Sequence, residues 1–194
     1  MDELRKIIAV LIFSVIMLAF PATAFAQTPA GMNGSITFVD QSDKGMLAAM
    51  MDTKDISIAA ATMKKAGIED MINPGENYTL FVASDTALNS MSPDMKEIMA
   101  ESMNDRQVAI EFVEGHMISD MITPDEMADG KTLEFMNGKT ITVKRADGRI
   151  MVEDASVIKA VKTGNGIVYV MDRIPSSIKT MMEQTGILPA STMS

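Results

Sequence analysis

Residues 77–91 read NYTLFVASDTALNSM, an apolar run followed by Ser-Asp-Thr and then by a helical pattern. Alternation along the run predicts a strand in which Leu80 and Val82 point to one face and their neighbours to the other. The side chain of Asp85 or Ser84 can then accept hydrogen bonds from the free N–H groups of the following turn. The stretch therefore predicts a strand-to-helix corner that packs both elements into one core.

Helical patterns dominate the first half of the chain around this corner. Residues 55–66 carry apolar side chains at helical spacing, with Asp55 as a predicted N-cap and Gly67 as the residue after the helix end. A shorter helix is predicted at residues 45–51. Residues 93–114 predict two more helices with a break between them.

Strand patterns dominate the second half. Residues 131–136 and 139–144 are β-type runs joined by Asn137-Gly138, which predicts a hairpin with a type I′ turn. Asp147-Gly148 predicts the same turn again, and residues 166–174 form the last predicted strand. Helices followed by antiparallel strands are typical of an α+β domain.

The N-terminus predicts export. Arg5 and Lys6 precede an uncharged run at residues 7–20, and Ala24 and Ala26 then form the small-residue pattern that signal peptidases cleave after. As a helix this run would span about 21 Å, less than the hydrocarbon core of a bilayer at about 30 Å. Residues 1–26 are therefore predicted to be a signal peptide, with an uncleaved anchor as the alternative.

Composition narrows the choice of compartment and partner. The chain of 194 residues has a formal net charge of -9 and no cysteine. A surface this acidic repels phosphate backbones, so nucleic acid is not expected as a partner. Without cysteine, the chain has neither disulfides nor thiolate metal sites. We expect a secreted, periplasmic or cell-surface protein with no stable membrane anchor after signal cleavage.

Three segments in order carry a resemblance to a known family. TLFVASDTAL at residues 79–88 and TGNGIVYVMDRIP at residues 163–175 resemble the two signature segments of the fasciclin-type domain. EFVEGHMI at residues 111–118 is similar to the segment between them. The resemblance implies a single α+β domain in which N-terminal helices pack on antiparallel strands that form a β-wedge.

The resemblance also sets the predicted domain boundaries. The signal peptide is followed by a leader segment at residues 27–43 and by the fasciclin-like domain at residues 44–175. Residues 176–194 are expected to form a C-terminal helix and tail. This arrangement leaves one folded domain between two short ends.

The family implies a binding or adhesion module, and its motifs indicate where a partner would bind. His116 lies in a segment that the family links to adhesion, although Gly115 replaces the usual aromatic neighbour. The final strand, which is expected beside the His116 segment, carries Tyr169 where the family often has histidine. Both residues are candidate binding residues.

A second departure concerns the run that leads into the final strand. Lys159 and Lys162 flank Val161 where integrin-binding members of the family often have an acidic-apolar pair. On an otherwise acidic domain these residues predict a basic-apolar patch. Its expected partner is an extracellular or cell-surface protein or an anionic polysaccharide.

Catalytic and metal chemistry find little support in the sequence. His116 is the one histidine, no cysteine or second histidine accompanies it, and no nucleophile elbow is present. We therefore expect no enzyme, no cofactor and no metal site of that kind.

Methionine leaves one alternative open. The chain contains 21 methionines, and four of them recur every four residues between positions 91 and 103. These are Met91, Met95, Met99 and Met103. Thioethers bind Cu(I), so an exported carrier of soft metal or of a small ligand is the alternative function. The same spacing also indicates the buried stripe of a helix, where methionine fills volume.

Two sequons, at Asn33 and Asn77, are candidate glycosylation sites. They are used only in a host that glycosylates exported proteins.

Overall fold

The computed structural model describes residues 36–176, in which helices and strands are both well represented. The helices are α1 (Met46–Asp52), α2 (Ser57–Lys65), α3 (Asp85–Asn89), α4 (Pro93–Ser102) and α5 (Arg106–Glu114). The strands are β1 (Thr37–Gln41), β2 (Tyr78–Ala83), β3 (Met117–Ile118), β4 (Thr132–Glu134), β5 (Thr140–Ala146), β6 (Arg149–Val152), β7 (Ala155–Thr163) and β8 (Gly166–Met171). The predicted signal peptide, Asn33 and residues 177–194 lie outside the described residues.

The strands form one mixed sheet in the order β3-β2-β8-β7-β6-β5-β4, and β1 pairs with β7. The expected α+β fold is confirmed, but the strands are not all antiparallel. The β1–β7 and β2–β8 pairs are parallel, while the other pairs are antiparallel. Each parallel pair joins strands that are far apart in the chain, so the intervening segments cross over before the chain returns to the sheet.

β1 lies in the segment that the sequence assigns to the leader. Its register with β7 runs from Thr37 opposite Lys159 to Gln41 opposite Thr163. Through this pairing β1 is part of the same sheet as the signature strands.

The centre of the sheet is covered on both faces. All residues of β2 and β8 are buried, as expected for strands with no solvent-facing side. Leu80 and Val82 join the cluster formed with the helices, as alternation predicts. Phe81 points to the other face, where its ring stacks on Tyr169 at a centroid distance of 5.3 Å.

The strand-to-helix corner caps two helices. Ser84 accepts a hydrogen bond from a backbone N–H in the first turn of α3 at 3.2 Å. Asp85 reaches back to α2, where its carboxylate accepts from the backbone N–H of Ser57 at 3.0 Å and of Ile58 at 2.9 Å. The prediction that Asp55 caps α2 is wrong, because Asp55 has φ +74° and the helix begins two residues later.

The two predicted hairpin turns differ. Asp147 and Gly148 have φ +52° and +74°, so the type I′ turn between β5 and β6 is confirmed. At the other turn only Gly138 has positive φ, so the prediction of a type I′ turn there is wrong. The Gly138 N–H donates to Phe135 O at 2.8 Å, which closes a longer loop that needs a single left-handed residue.

Among residues 36–176, no helix has both the length and the apolar character needed to cross a lipid bilayer.

Candidate binding surface

The predicted basic-apolar patch does not form as a single surface. Val161 is fully buried and belongs to the core beneath the helices, so it cannot contact a partner of the folded domain. Lys159 forms an ion pair with Asp55 at 3.0 Å, and its Nζ also donates to Lys54 O at 3.1 Å. The positive charge of Lys159 is therefore balanced within the domain.

Lys162 also lies beside an acidic residue. In the register between β1 and β7 it stands opposite Asp40. Hydrogen bonds from Ser42 lower the pKa of Asp40, and the nearby Lys162 adds a smaller contribution in the same direction. Because β7 pairs with β8 on one side and with β1 on the other, this part of β7 is not a sheet edge.

Two exposed apolar residues flank these lysines, and the sequence pattern did not single them out. Phe38 on β1 and Ile158 on β7 are each 40% exposed. Phe38 stands opposite Ala160, and Ile158 lies on the neighbouring strand two residues before Ala160, at the β-bulge between Val157 and Lys159. We define the β1–β7 surface as the two exposed apolar residues Phe38 and Ile158. The sequence gives no signal for Phe38, because β1 follows directly on a segment with linker composition.

His116 is half-buried at the end of α5. Its Nδ1 lies 2.6 Å from Phe112 O, and the two rings pack at a centroid distance of 4.3 Å. Burial lowers the pKa of His116, and the hydrogen bond to the Phe112 carbonyl opposes this effect. In the sheet β2 lies between β3 and β8, but His116 lines one pocket together with Met171 and Ile174. The end of the final strand segment therefore lies beside the His116 segment without pairing to it.

Tyr169 is a core residue. Its side chain is fully buried, and its hydroxyl donates to Ile122 O at 2.7 Å. Burial raises the pKa of this hydroxyl, so it stays protonated as a donor. As a candidate binding residue Tyr169 is therefore excluded from direct contact with a partner of the folded domain.

Gly115, where the family usually has an aromatic residue, lies beside a small apolar cavity. The cavity has a volume of about 60 Å³, and Phe81, Phe135 and Ile141 are among the residues that line it. A Cβ added at Gly115 would lie 3.0 Å from Asn137 Nδ2 on the β4–β5 loop. The side chain of Asn137 thus occupies the space that a side chain at position 115 would need.

Most of the described methionines pack in the core. The buried ones are Met46, Met50, Met63, Met91, Met103, Met117, Met127 and Met171. Met99 is partly buried, and the side chain of Met95 is outside the described part of the chain. Within the described ranges, no three His, Asp or Glu side chains converge on a point that could hold a metal ion. These positions match the core-packing explanation of the methionine spacing.

The described sequon combines an exposed acceptor with a buried hydroxyl. Asn77 is exposed, whereas Thr79 is fully buried and its hydroxyl donates to Asp120 O at 2.7 Å. Use of this sequon therefore requires modification before β2 joins the sheet.

The mixed sheet, the covering helices and the β4–β6 hairpins define a FAS1-like α+β domain. Residues 54–174 match the family model of the Fasciclin domain, and the chain belongs to this family. Protein sll1483 from Synechocystis sp. is 21% identical over 177 residues, which are 90% of this chain and 97% of that protein.

Two further similarities involve larger proteins. Periostin from Homo sapiens is 22% identical over 151 residues, which cover 74% of this chain and 18% of periostin. A solved FAS1 domain pair from the insect cell adhesion molecule fasciclin I superposes with a TM-score of 0.55 at 17% identity. That superposition covers 67% of this chain and 50% of the solved chain, and it shows the common fold. The comparisons lend no support to the alternative of a methionine-rich carrier.

Proposed function

We propose that this chain is a secreted or surface-associated binding and adhesion module without enzymatic activity. Membership of the fasciclin family is the observation that carries the proposal. The fold resembles domains of the insect cell adhesion molecule fasciclin I. The predicted signal peptide supports a location outside the cytoplasm, in the periplasm or at the cell surface.

The partner we propose is an extracellular or cell-surface protein that contacts the β1–β7 surface. Phe38 and Ile158 supply exposed apolar area, which protein partners bury at the centre of an interface. Lys159 and Lys162 lie around it with acidic neighbours, so their net attraction for an anionic polysaccharide is weak. Contact with a protein therefore fits this surface better than contact with a polysaccharide.

Binding of the labelled mature chain to cells of the source organism tests this proposal. Phe38→Ser with Ile158→Ser should weaken attachment by about tenfold, because an interface loses its apolar centre. Met51→Ser with Met136→Ser is the matched control, since these residues are also exposed and apolar but belong to α1 and the β4–β5 loop. Equal effects of the two pairs would contradict the assigned surface.

A separate experiment distinguishes a protein partner from a polysaccharide partner. Protease treatment of the cells should remove attachment if the partner is a protein. The charge reversal Lys159→Glu with Lys162→Glu should have a smaller effect than the apolar pair. An anionic polysaccharide would give the opposite ranking, resistance to protease and strong sensitivity to salt.

A further inference from the structure

A second concave region lies between α2 and α4, on residues that the β1–β7 surface does not include. Its volume is about 460 Å³, within the range of small-molecule pockets. Ile58, Leu88, Met99 and Met103 supply apolar atoms to its floor. We call this region the α2–α4 groove.

Two lysine side chains give the groove a polar, positively charged part. Lys65 Nζ donates to Ala100 O at 2.8 Å, and Lys96 Nζ donates to Asn89 O at 3.0 Å. An ammonium group has three N–H donors, so each of these lysines keeps donors for a ligand. Both backbone acceptors hold the ammonium groups against α4 and the end of α3.

The charge of the groove is opposite to that of the whole molecule. The chain has a net charge of -9, yet among the described residues that line the groove the charged ones are Lys65 and Lys96. Apolar surface beside two lining ammonium groups is complementary to a molecule with an alkyl chain and an anionic head.

We propose that the α2–α4 groove binds a single-chain amphiphile with an anionic head group, of the fatty-acid class. The carboxylate accepts hydrogen bonds from Lys65 and Lys96, and the alkyl chain covers the apolar floor. Charge-assisted hydrogen bonds hold the head, and burial of methylene groups provides the remaining affinity. This activity is additional to adhesion and does not depend on it.

Calorimetric titration of the full chain with decanoate tests the proposal. We expect saturable binding at one site, weakened about tenfold by Lys65→Gln with Lys96→Gln because two charge-assisted hydrogen bonds are lost. Lys54→Gln with Lys64→Gln removes the same charge from exposed positions outside the groove and should change the dissociation constant by less than about twofold. Thermal unfolding of both variants checks that they remain folded.

Two further measurements test the contributions of the apolar floor and of the charged head group separately. Ala61→Trp fills the groove from an exposed position and should abolish binding. Decan-1-ol lacks the charge, so the lysine substitutions should leave its binding unchanged. No saturable binding of decanoate to the native chain, equal losses in the two lysine pairs, or full binding by Ala61→Trp would each overturn the proposal.

Discussion

Asp85 stabilises a helix that starts 28 residues before it in the chain. Its carboxylate accepts two backbone N–H groups at the start of α2 and the hydroxyl of Ser57 at 2.6 Å. A negative charge at this end of a helix also interacts favourably with the helix dipole. One side chain of the signature corner thereby fixes α2 against β2.

Replacing Asp85 by alanine should lower the free energy of unfolding by about 1–2 kcal/mol, because a capped helix end loses its acceptor. Chemical denaturation measures the change. Glu69→Ala is the control, since Glu69 is an exposed carboxylate and its replacement should cost less than about 0.5 kcal/mol. Equal losses in the two variants would contradict the capping role.

Position 166 requires glycine because the neighbouring strand β2 lies too close for any side chain. It has φ +144°, and a Cβ at this position would lie 1.8 Å from Tyr78 O, closer than any real contact. Tyr78 N also donates to Asn165 O at 3.0 Å, so the two strands cannot separate locally without losing this bond. The Asn-Gly pair of the last signature is therefore required for the parallel β2–β8 pairing.

Gly166→Ala should prevent folding at ordinary temperature or shift thermal unfolding strongly downward, because backbone atoms would overlap. Gly130→Ala provides the control: Gly130 has φ +77° but nothing within 4 Å of its Cβ position. That variant should lose about 1–2 kcal/mol from the strained backbone alone. Similar losses at the two glycines would show that steric overlap is not the main effect at Gly166.

The surroundings of the candidate site residues could not be predicted from the local sequence. The sequence places Lys159, Val161 and Lys162 in one short run, but alternation along β7 sends Val161 into the core. Asp55 and Asp40, which balance the lysines, come from segments more than 100 residues earlier in the chain. Their proximity depends on the tertiary fold and has no local signal.

At the scale of elements, local patterns predicted the helices but did not identify three strands, β1, β3 and β7. The spacing of apolar residues and the turn at Gly67 are local, so α1, α2, α4 and α5 lie close to their predicted positions. β1 pairs in parallel with a strand about 120 residues away, and the loose composition just before it indicated a leader. The type I′ turn predicted at Asn137-Gly138 is wrong for another reason, because the length of the loop decides the turn type.

Helix α1 provides a test of why methionine is used so often. Met46 and Met50 are 1% and 0% exposed. Exchange of both for leucine should cost less than about 1.5 kcal/mol each, since the two side chains have similar volumes. Thermal unfolding gives the stability, and titration with Cu(I) under reducing conditions gives metal affinity. Tight Cu(I) binding that disappears in this variant would contradict a packing role.

The whole molecule contains one histidine, so its contribution to the pH dependence of stability can be isolated. Burial lowers the pKa of His116 from its ordinary value of 6.5. Between that value and the lowered pKa, the unfolded chain binds more protons than the folded chain. The free energy of unfolding should therefore be highest above pH 6.5 and decrease as the pH falls toward the lowered pKa.

His116→Gln should remove this decrease. Chemical denaturation at several pH values between about 7.5 and about 5 measures it, because the carboxylates titrate mainly at lower pH. A native chain whose stability stays constant over this interval, or a variant with the same slope, would contradict the assignment.

The position of β8 has a consequence for how the chain is made and transported. β8 is the last described strand to leave the ribosome, yet it lies between β2 and β7 at the centre of the sheet. Earlier strands cannot complete their hydrogen-bonded ladders until it arrives, and such long-range pairing forms slowly. The native sheet therefore cannot form before residues 166–171 have been synthesised. If the predicted signal peptide directs export, this late pairing keeps the chain extended enough to pass through a membrane channel.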